Sequence, residues 1–287
     1  MSTQITTAFV QQFSSNVQLL SQQRGSLLRG AVSEESVTGE KAFFDQVGAA
    51  AAVKRTSRHG DTPLVETPHS RRMVTMDSYE WADLIDDADK VRMLIDPTST
   101  YAQAAAAAMG RAMDDSIIAA AIGSAKTGKS GSSSSSMLAG HQIANGSADL
   151  TLAKLIEAKK ILDLASVDPS ITRHIAVGPD QIESLLNNTT VTSSDFNTIK
   201  ALVQGEINTF LGFTFHVTTR LAKDGNIRSC FAWAEDGIKL AVGKDVMAKI
   251  DERADKSYST QVYYCATFGA TRMEEEKVVQ IDCDESA

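Results

Sequence analysis

The sharpest chemical signal lies at residues 123–130, Gly-Ser-Ala-Lys-Thr-Gly-Lys-Ser, which satisfy the P-loop pattern of nucleotide-binding proteins. A P-loop cradles phosphates because a strand delivers a glycine-rich turn and a helix begins directly after it. Here an alanine-rich helical pattern precedes the match, and Gly131 and several serines follow it. The context therefore predicts a helix end followed by a loop, and an ATP-binding protein is a remote alternative.

Acidic residues cluster in three places, at 83–89, 114–115 and 274–276. Paired carboxyl groups act as acid and base when burial moves their pKa values apart. On exposed helix faces and in a C-terminal run they more often form solvated surface or partners for basic neighbours. We therefore assign no catalytic residue to these clusters.

The five histidines and three cysteines lack the spacing of a metal site. His174 and His216 fall in alternating patterns typical of strands and are predicted to be half-buried. Cys230, Cys265 and Cys283 are predicted to be reduced thiols, two of them packed in sheets. No catalytic, metal-binding or cofactor-binding residue is assigned and no cofactor is expected, so a structural role is favoured over an enzyme.

The chain of 287 residues carries 28 basic and 36 acidic side chains, a formal net charge of -8. This balance argues against a protein whose main task is to grip nucleic-acid phosphates, although it does not exclude one that encloses nucleic acid. The first 20 residues lack the apolar core of a signal peptide, and no apolar run approaches the ~18 residues that cross a bilayer. We expect a soluble protein, made in the cytoplasm, that does not bind membranes.

The N-terminal half contains four recognisable elements. An amphipathic helix at 5–28 is typical of a docking arm, and residues 53–77 indicate a long, polar, exposed hairpin with few core-forming side chains. An acidic helix is predicted at 78–94. The clearest element is an alanine-rich helix at 101–122 that ends at Gly123.

The C-terminal half predicts a mixed α/β region. The serine run at 132–136 is typical of a linker. Helices are predicted at 152–165, 181–186 and 194–203, and strands at 171–177, 213–217, 228–233 and 244–250. An antiparallel pair is predicted between 258–268 and 277–281. The fold class is therefore α+β.

Several sequence blocks occur in one order over about 70 residues. They are GDTP at 60–63, PH-x-RR at 68–72, Y-x-x-ADLIDD-x-D at 79–89, DPTS-x-Y-x-x-A at 96–104 and GRA-x-DD-x-I at 110–117. In these blocks the chain resembles a family of capsid proteins of tailed bacteriophages.

The resemblance implies the Hong Kong 97-like capsid fold, an α+β fold. Its parts would be an N-terminal arm at 1–52, an extended hairpin loop at 53–77, a peripheral domain with the spine helix at 78–149, an axial α/β domain at 150–250, and closing strands of the peripheral domain at 251–287.

The same resemblance implies a major capsid protein that assembles with itself, as pentamers and hexamers, into an icosahedral shell. The shell would enclose double-stranded DNA without sequence-specific binding, with scaffolding, portal and decoration proteins as further partners. The protein would belong to the virion and assemble in the host bacterial cytoplasm. An encapsulin-like compartment of the same fold, which houses a protein cargo, is the alternative.

A basic hairpin beside an acidic block suggests how neighbouring subunits meet. The contact candidates are Lys54, Arg55, Arg58, Arg71 and Arg72 on the hairpin and Asp83, Asp86, Asp87 and Asp89 in the acidic block. The hairpin of one subunit is predicted to lie over an acidic surface of its neighbour. Without the family resemblance, a solvated loop beside a solvated helix is the simpler interpretation.

Overall fold

The computed structural model describes residues 22–85, 98–187 and 209–286. The described α-helices are α1 (Thr98–Ile122), α2 (Leu152–Leu164) and α3 (Pro179–Asn187). The described strands are β1 (Ser33–Ser36), β2 (Lys41–Val47), β3 (His69–Thr75), β4 (Asp77–Ile85), β5 (Ala125–Thr127), β6 (Ser133–Ser135), β7 (Gln142–Ile143), β8 (Arg173–Val177), β9 (Thr209–Phe210), β10 (Phe213–Val217), β11 (Lys223–Asp224), β12 (Ile227–Ala234), β13 (Ile238–Arg253), β14 (Ser259–Arg272) and β15 (Val278–Asp284).

The chain divides into two compact units. Unit 1 comprises Met1–Ser26, Ser78–Arg111 and Lys244–Ala266, and unit 2 comprises Leu27–Asp77, Ala112–Gly243 and Thr267–Ala287. The strands form three sheets, with the orders β1-β13-β14-β4, β2-β3-β5-β6 and β7-β15-β12-β8-β10-β9, and β11 pairs with β12. The boundaries predicted for the capsid domains stay a prediction.

Helix α1 confirms the predicted alanine-rich helix, starting slightly earlier, at Thr98. It ends at Gly123, whose N–H donates to the carbonyl of Ala119. In unit 1 its small side chains allow a close backbone approach, because a Cβ added at Gly110 would lie 2.3 Å from the carbonyl carbon of Gly25. A glycine is therefore required at this contact.

The seven-stranded sheet of unit 2 and the helices beside it in the sequence confirm most elements predicted for the α/β region. Strand β8 is buried along its whole length and pairs in parallel with β10 and antiparallel with β12. Helix α2 begins at Leu152, and Thr151 is its N-cap. The hydroxyl of Thr151 accepts a hydrogen bond from the N–H of Lys154. Trp233, Phe231 and Phe213 are fully buried and supply the bulk of the core.

The predicted acidic helix at 78–94 is wrong where the structure describes it. Residues 77–85 form strand β4, in which Tyr79, Trp81, Asp83 and Ile85 are the more buried positions. This alternation has the period of a strand. Pairing with β14 determines the conformation, since the local sequence suits a helix almost as well.

Two further predictions are corrected. The serine run is an ordered strand, β6, which pairs antiparallel with β5 from Ala125↔Ser135 to Thr127↔Ser133. The last two long strands do not pair with each other. Strand β14 lies between β13 and β4, whereas β15 pairs antiparallel with β12 and parallel with β7.

Some predicted elements lie outside the described residues. They are most of the N-terminal amphipathic helix, the helix at 194–203 and the second half of the acidic block. The described end of the N-terminal helix, residues 22–28, consists of bends and extended chain, so the helix does not reach Leu28 as predicted.

Candidate functional site

The exposed hairpin is the most unusual surface of unit 2. Strands β2 and β3 pair antiparallel from Lys41↔Thr75 to Val47↔His69, and the N–H of Gly48 closes the ladder on the carbonyl of Pro68 at 2.8 Å. Every residue of the connecting segment 48–68 is exposed, and Leu64 is 97% exposed. A segment with so few contacts of its own gains order from packing only when another molecule covers it.

The base of the hairpin is packed firmly into unit 2. Its inward side chains belong to one cluster of buried residues, Ala42, Phe44, Val74, Met76, Ala241 and Met273. The carbonyl of Thr75 lies so close to Gly269 that a Cβ there would approach it to 2.2 Å. The base is therefore a rigid support for the exposed segment.

Arg71 lies on the exposed side of this base and is engaged within its own hairpin. Its Nη2 donates to Oδ2 of Asp45 at 3.0 Å, and its guanidinium lies 5.5 Å from the centre of the Phe43 ring. The hydrogen bond from Arg71 lowers the pKa of Asp45. The pair is exposed, so it stabilises the hairpin only weakly.

Arg72 points the other way and is buried within the subunit, while its contact with another subunit stays a prediction. Its Nε donates to the carbonyl of Met273 at 2.7 Å, and its Nη2 pairs with Glu275 at 2.5 Å. The alternation of a strand explains the difference, since neighbouring side chains face opposite sides of the sheet.

A second buried arginine completes the anchor. Arg272 donates to the carbonyls of Ala121, Gly123 and Ser135, and its Nη2 lies 4.0 Å from Glu275. Burial lowers the pKa of its guanidinium. This anchor, formed by Arg72, Glu275 and Arg272, joins the hairpin base to the end of α1 and to β6.

The other candidates for contacts between subunits lie in different parts of the chain. Lys54, Arg55 and Arg58 are exposed on the segment 48–68, where Arg55 donates to the carbonyls of Ser57 and Arg58. Asp83 lies on β4, and its carboxylate accepts a hydrogen bond from the N–H of Leu84. Asp86, Asp87 and Asp89 lie outside the described residues.

The segment that matches the P-loop pattern has a different local structure. It runs from the end of α1 through β5 into the turn at Gly128, and then into β6. Gly128 and Gly131 have φ values of 91° and 69°, so both serve a tight turn. Because β6 follows this turn, the segment has no helix N-terminus with which to cradle a phosphate.

A histidine pair also lies in unit 2. Nδ1 of His174 and Nε2 of His216 are 3.1 Å apart, and both rings lie beside the indole of Trp233. Burial lowers the pKa of His174 to about 4, and the nearby His216 lowers it as well. Burial also lowers the pKa of His216, while Asp114 acts in the opposite direction.

The cysteines and the side chains that could bind a metal ion complete the description of the reactive groups. All three cysteines are free and buried, and a hydrogen bond with Cys283 together with burial raises the pKa of Cys230 well above its usual value. Within residues 22–85, 98–187 and 209–286, no three His, Cys, Asp or Glu side chains are arranged to hold a metal ion. No helix among these residues is long and apolar enough to cross a membrane.

A protein family and several solved structures are similar to this chain. The model of a family described as phage capsid protein matches residues 5–285. The capsid structure of cyanophage P-SCSP1u has a TM-score of 0.75 at 16% identity, covering 99% of this chain and 95% of that one. The capsid of Ralstonia phage GP4 has a TM-score of 0.74 at 11% identity, covering 96% and 95%. No curated protein sequence matches the chain.

The mixed helix-and-sheet fold is that of the Hong Kong 97-like capsid proteins, which confirms the predicted fold class. The chain belongs to the phage capsid protein family. It is a structural subunit of a capsid shell built from copies of itself, and a component of the virion.

Proposed function

We propose that the chain is the major capsid protein of a tailed phage and that it forms an icosahedral shell around double-stranded DNA. The observation that supports this most directly is the segment 48–68, which is exposed throughout although its base is rigidly packed. In a shell, the same segment lies across a neighbouring subunit and gains the contacts that one subunit does not supply.

Pentamers and hexamers would close the shell through many contacts of modest strength. An exposed ion pair contributes about 0.2–1 kcal/mol, so a single contact is reversible. Several contacts from each subunit add up through multivalency, while a misplaced subunit can still leave. The basic candidates for these contacts are Lys54, Arg55, Arg58, Arg71 and Arg72, and the acidic candidates are Asp83, Asp86, Asp87 and Asp89.

We propose further that the role is not enzymatic and requires no cofactor. The β-hairpin at the P-loop-like segment supports this, because its backbone is already engaged in strand pairing. Scaffolding, portal and decoration proteins are the expected partners, and assembly is expected in the host bacterial cytoplasm.

Purification after expression, with and without the products of neighbouring genes, tests the proposal. Electron microscopy should show closed shells of uniform diameter, and nuclease-protected double-stranded DNA should be recovered from particles produced during infection. Shells that contain a protein cargo and no DNA would favour the encapsulin-like alternative. A subunit that stays monomeric under all these conditions would contradict the proposal.

A further inference from the structure

The described chain enters unit 2 through a short segment, residues 27–31, named here the N-terminal strap. Leu28 and Ala31 of the strap are fully buried. The N–H groups of Leu27 and Leu28 donate to the carboxylate of Asp114 at 3.0 and 3.1 Å. The carbonyl of Ala31 accepts a hydrogen bond from the indole N–H of Trp233 at 2.8 Å. Asp114 and Trp233 are therefore the two anchors of the strap.

Both anchors border the histidine pair. Trp233 is the direct strand partner of His174, and its ring centre lies 5.5 Å from that of His174 and 5.9 Å from that of His216. Asp114 is close enough to His216 for its charge to act on the ring. Asp115, the next residue of α1, forms an ion pair with Arg220, and the charge of Asp114 also helps to raise the pKa of Arg220.

The histidine pair is built for the neutral state. The 3.1 Å contact between the rings needs one donor and one acceptor, which a neutral pair and a singly protonated pair both supply. The neutral state is favoured instead by the surroundings of the other nitrogen of His174. Nε2 of His174 is buried without a hydrogen-bond partner among the described residues. An imidazolium donates from both nitrogens, and its charge is costly to bury unless it is paired.

We propose that the His174–His216 pair is an acid-sensitive latch that holds the N-terminal strap closed while the pair is neutral and releases it when the pair takes up a proton. The new charge draws the Asp114 carboxylate away from the N–H groups of the strap. The charged ring also needs water molecules around it, and these must enter the buried space beside Trp233. The two changes weaken the contacts of the strap with Asp114 and with Trp233.

A fall in pH favours whichever state of the strap, open or closed, binds protons more tightly. Burial lowers the pKa of His174 from its usual 6.5 to about 4, so the open strap binds the proton more tightly than the closed one. The closed strap is therefore favoured above pH 6.5, and it loses stability as the pH falls toward 4. The opening equilibrium should rise on the order of tenfold or more over this interval.

Hydrogen exchange of the full-length chain tests the latch on single subunits, so its outcome does not depend on shell formation. After correction for the intrinsic rates, amides of the strap should exchange at least about tenfold faster at pH 4.5 than at pH 7. The variant His174→Gln keeps a polar side chain that does not titrate, and it should remove most of this increase, because the proton uptake that opens the strap is assigned to His174. His59→Gln, on the exposed hairpin segment, is the matched control and should behave like the wild type.

A spectroscopic measurement reports on the latch directly. In the variant Trp81→Phe, Trp233 is the one remaining tryptophan, and protonation of the adjacent rings should quench its fluorescence with a midpoint below pH 6.5. Equal protection of the strap at both pH values in the wild type would overturn the latch. An undiminished increase in His174→Gln would overturn it as well.

If His174→Gln does not fold, nuclear magnetic resonance of the wild type provides the test. The strap amides must then shift with the same midpoint as the rings of the histidine pair. Separate midpoints contradict the latch.

Discussion

Lys154 is a buried charged side chain whose ammonium group is bound by backbone carbonyls. Its ammonium donates to the carbonyls of Asn145, Ala148 and Asp282 at 2.8, 2.7 and 2.8 Å. These three bonds use all of the donors of the ammonium group. They tie the turn before α2 to strand β15, so one residue joins three segments of the chain.

Replacing Lys154 tests how much these three hydrogen bonds contribute to the stability of the subunit. Lys154→Met keeps the length of the side chain but leaves three carbonyls without their donor, so the free energy of unfolding should fall by about 1–3 kcal/mol. Lys160→Met, on the exposed side of α2, is the control and should change it by less than about 0.5 kcal/mol. Urea denaturation of the unassembled subunit measures both, and equal stabilities would show that the carbonyls do not need Lys154.

Glu285 gives a pH-dependent prediction. A hydrogen bond from Arg228, supported by Lys223 and Gln181, lowers the pKa of Glu285 from 4.5 to about 2. A carboxyl group with a lowered pKa stabilises the fold above its ordinary value, and this contribution is lost as the pH falls from 4.5 toward 2.

Glu285→Gln removes that contribution. The variant should unfold at lower urea concentration than the wild type at pH 7, and the difference should shrink steadily between pH 4.5 and 2. Glu183→Gln, on the exposed side of α3, provides the comparison. A difference that stays constant over this interval would show that the charge of Glu285 does not matter.

These residues also show where the sequence is uninformative. Lys154, Glu275, Arg272 and Asp114 look like ordinary surface residues in the sequence, because their partners lie about 90–200 positions away or are backbone carbonyls. The half-burial predicted for His174 and His216 comes close, since one is buried and the other is half-buried. Their contact with each other depends on the parallel pairing of β8 and β10, which no local pattern reveals.

At the scale of elements, α1 is predicted well because a long run of alanine favours a helix in any context. Strand β4 is not predicted, because its conformation depends on pairing with β14, which lies far away in the sequence. Strand β6 is missed for a similar reason. A serine run has no preference of its own, yet it pairs with β5 across a turn shaped by Gly128 and Gly131.

The packed face of α1 provides a test of close packing. Ala121 is fully buried whereas Ala119 is exposed. Ala121→Leu should overpack the site and lower the free energy of unfolding by about 1–3 kcal/mol, and Ala119→Leu should leave it nearly unchanged. Thermal melts followed by circular dichroism compare the two. Equal melting temperatures would mean that the helix is loosely packed at this end.

The neighbouring arginines of β3 form another matched pair. Arg72→Ala leaves Glu275 buried without its closest partner and should cost about 3–5 kcal/mol of stability. Arg71→Ala removes an exposed pair with Asp45 and should cost no more than about 1 kcal/mol. Denaturant unfolding would contradict the buried anchor if the two variants were equally stable.

This contrast also decides which charges are suitable for assembly experiments. Reversing Arg72 would damage the subunit itself, so a failure to assemble would be uninformative. Arg55 and Arg58 lie on the exposed segment 48–68, away from the packed base. Their charges can be reversed without touching the core.

For the whole molecule, the order of the sequence blocks at 60–117 is sufficient to predict the family and the fold class. The match of the family model over residues 5–285 confirms this prediction. Without these blocks, composition and residue patterns predict only an α+β protein with an exposed hairpin. The contacts between subunits do not follow from the sequence, because they depend on surfaces that two copies form together.

The charge of the exposed segment should affect assembly. Arg55→Glu with Arg58→Glu should give folded subunits that form few or no shells, because like charges placed across a contact are strongly unfavourable. Arg55→Lys with Arg58→Lys keeps the charge and should assemble. Moderate salt should weaken assembly of the wild type, since it screens exposed charges. Normal shells from the reversed variant at low salt would show that other contacts join the subunits.

A density map of the wild-type shell by cryo-electron microscopy tests the central claim most directly. It should show residues 48–68 lying against a second copy of the chain, with Leu64 covered. Closed shells in which this segment projects freely into solvent would contradict the account.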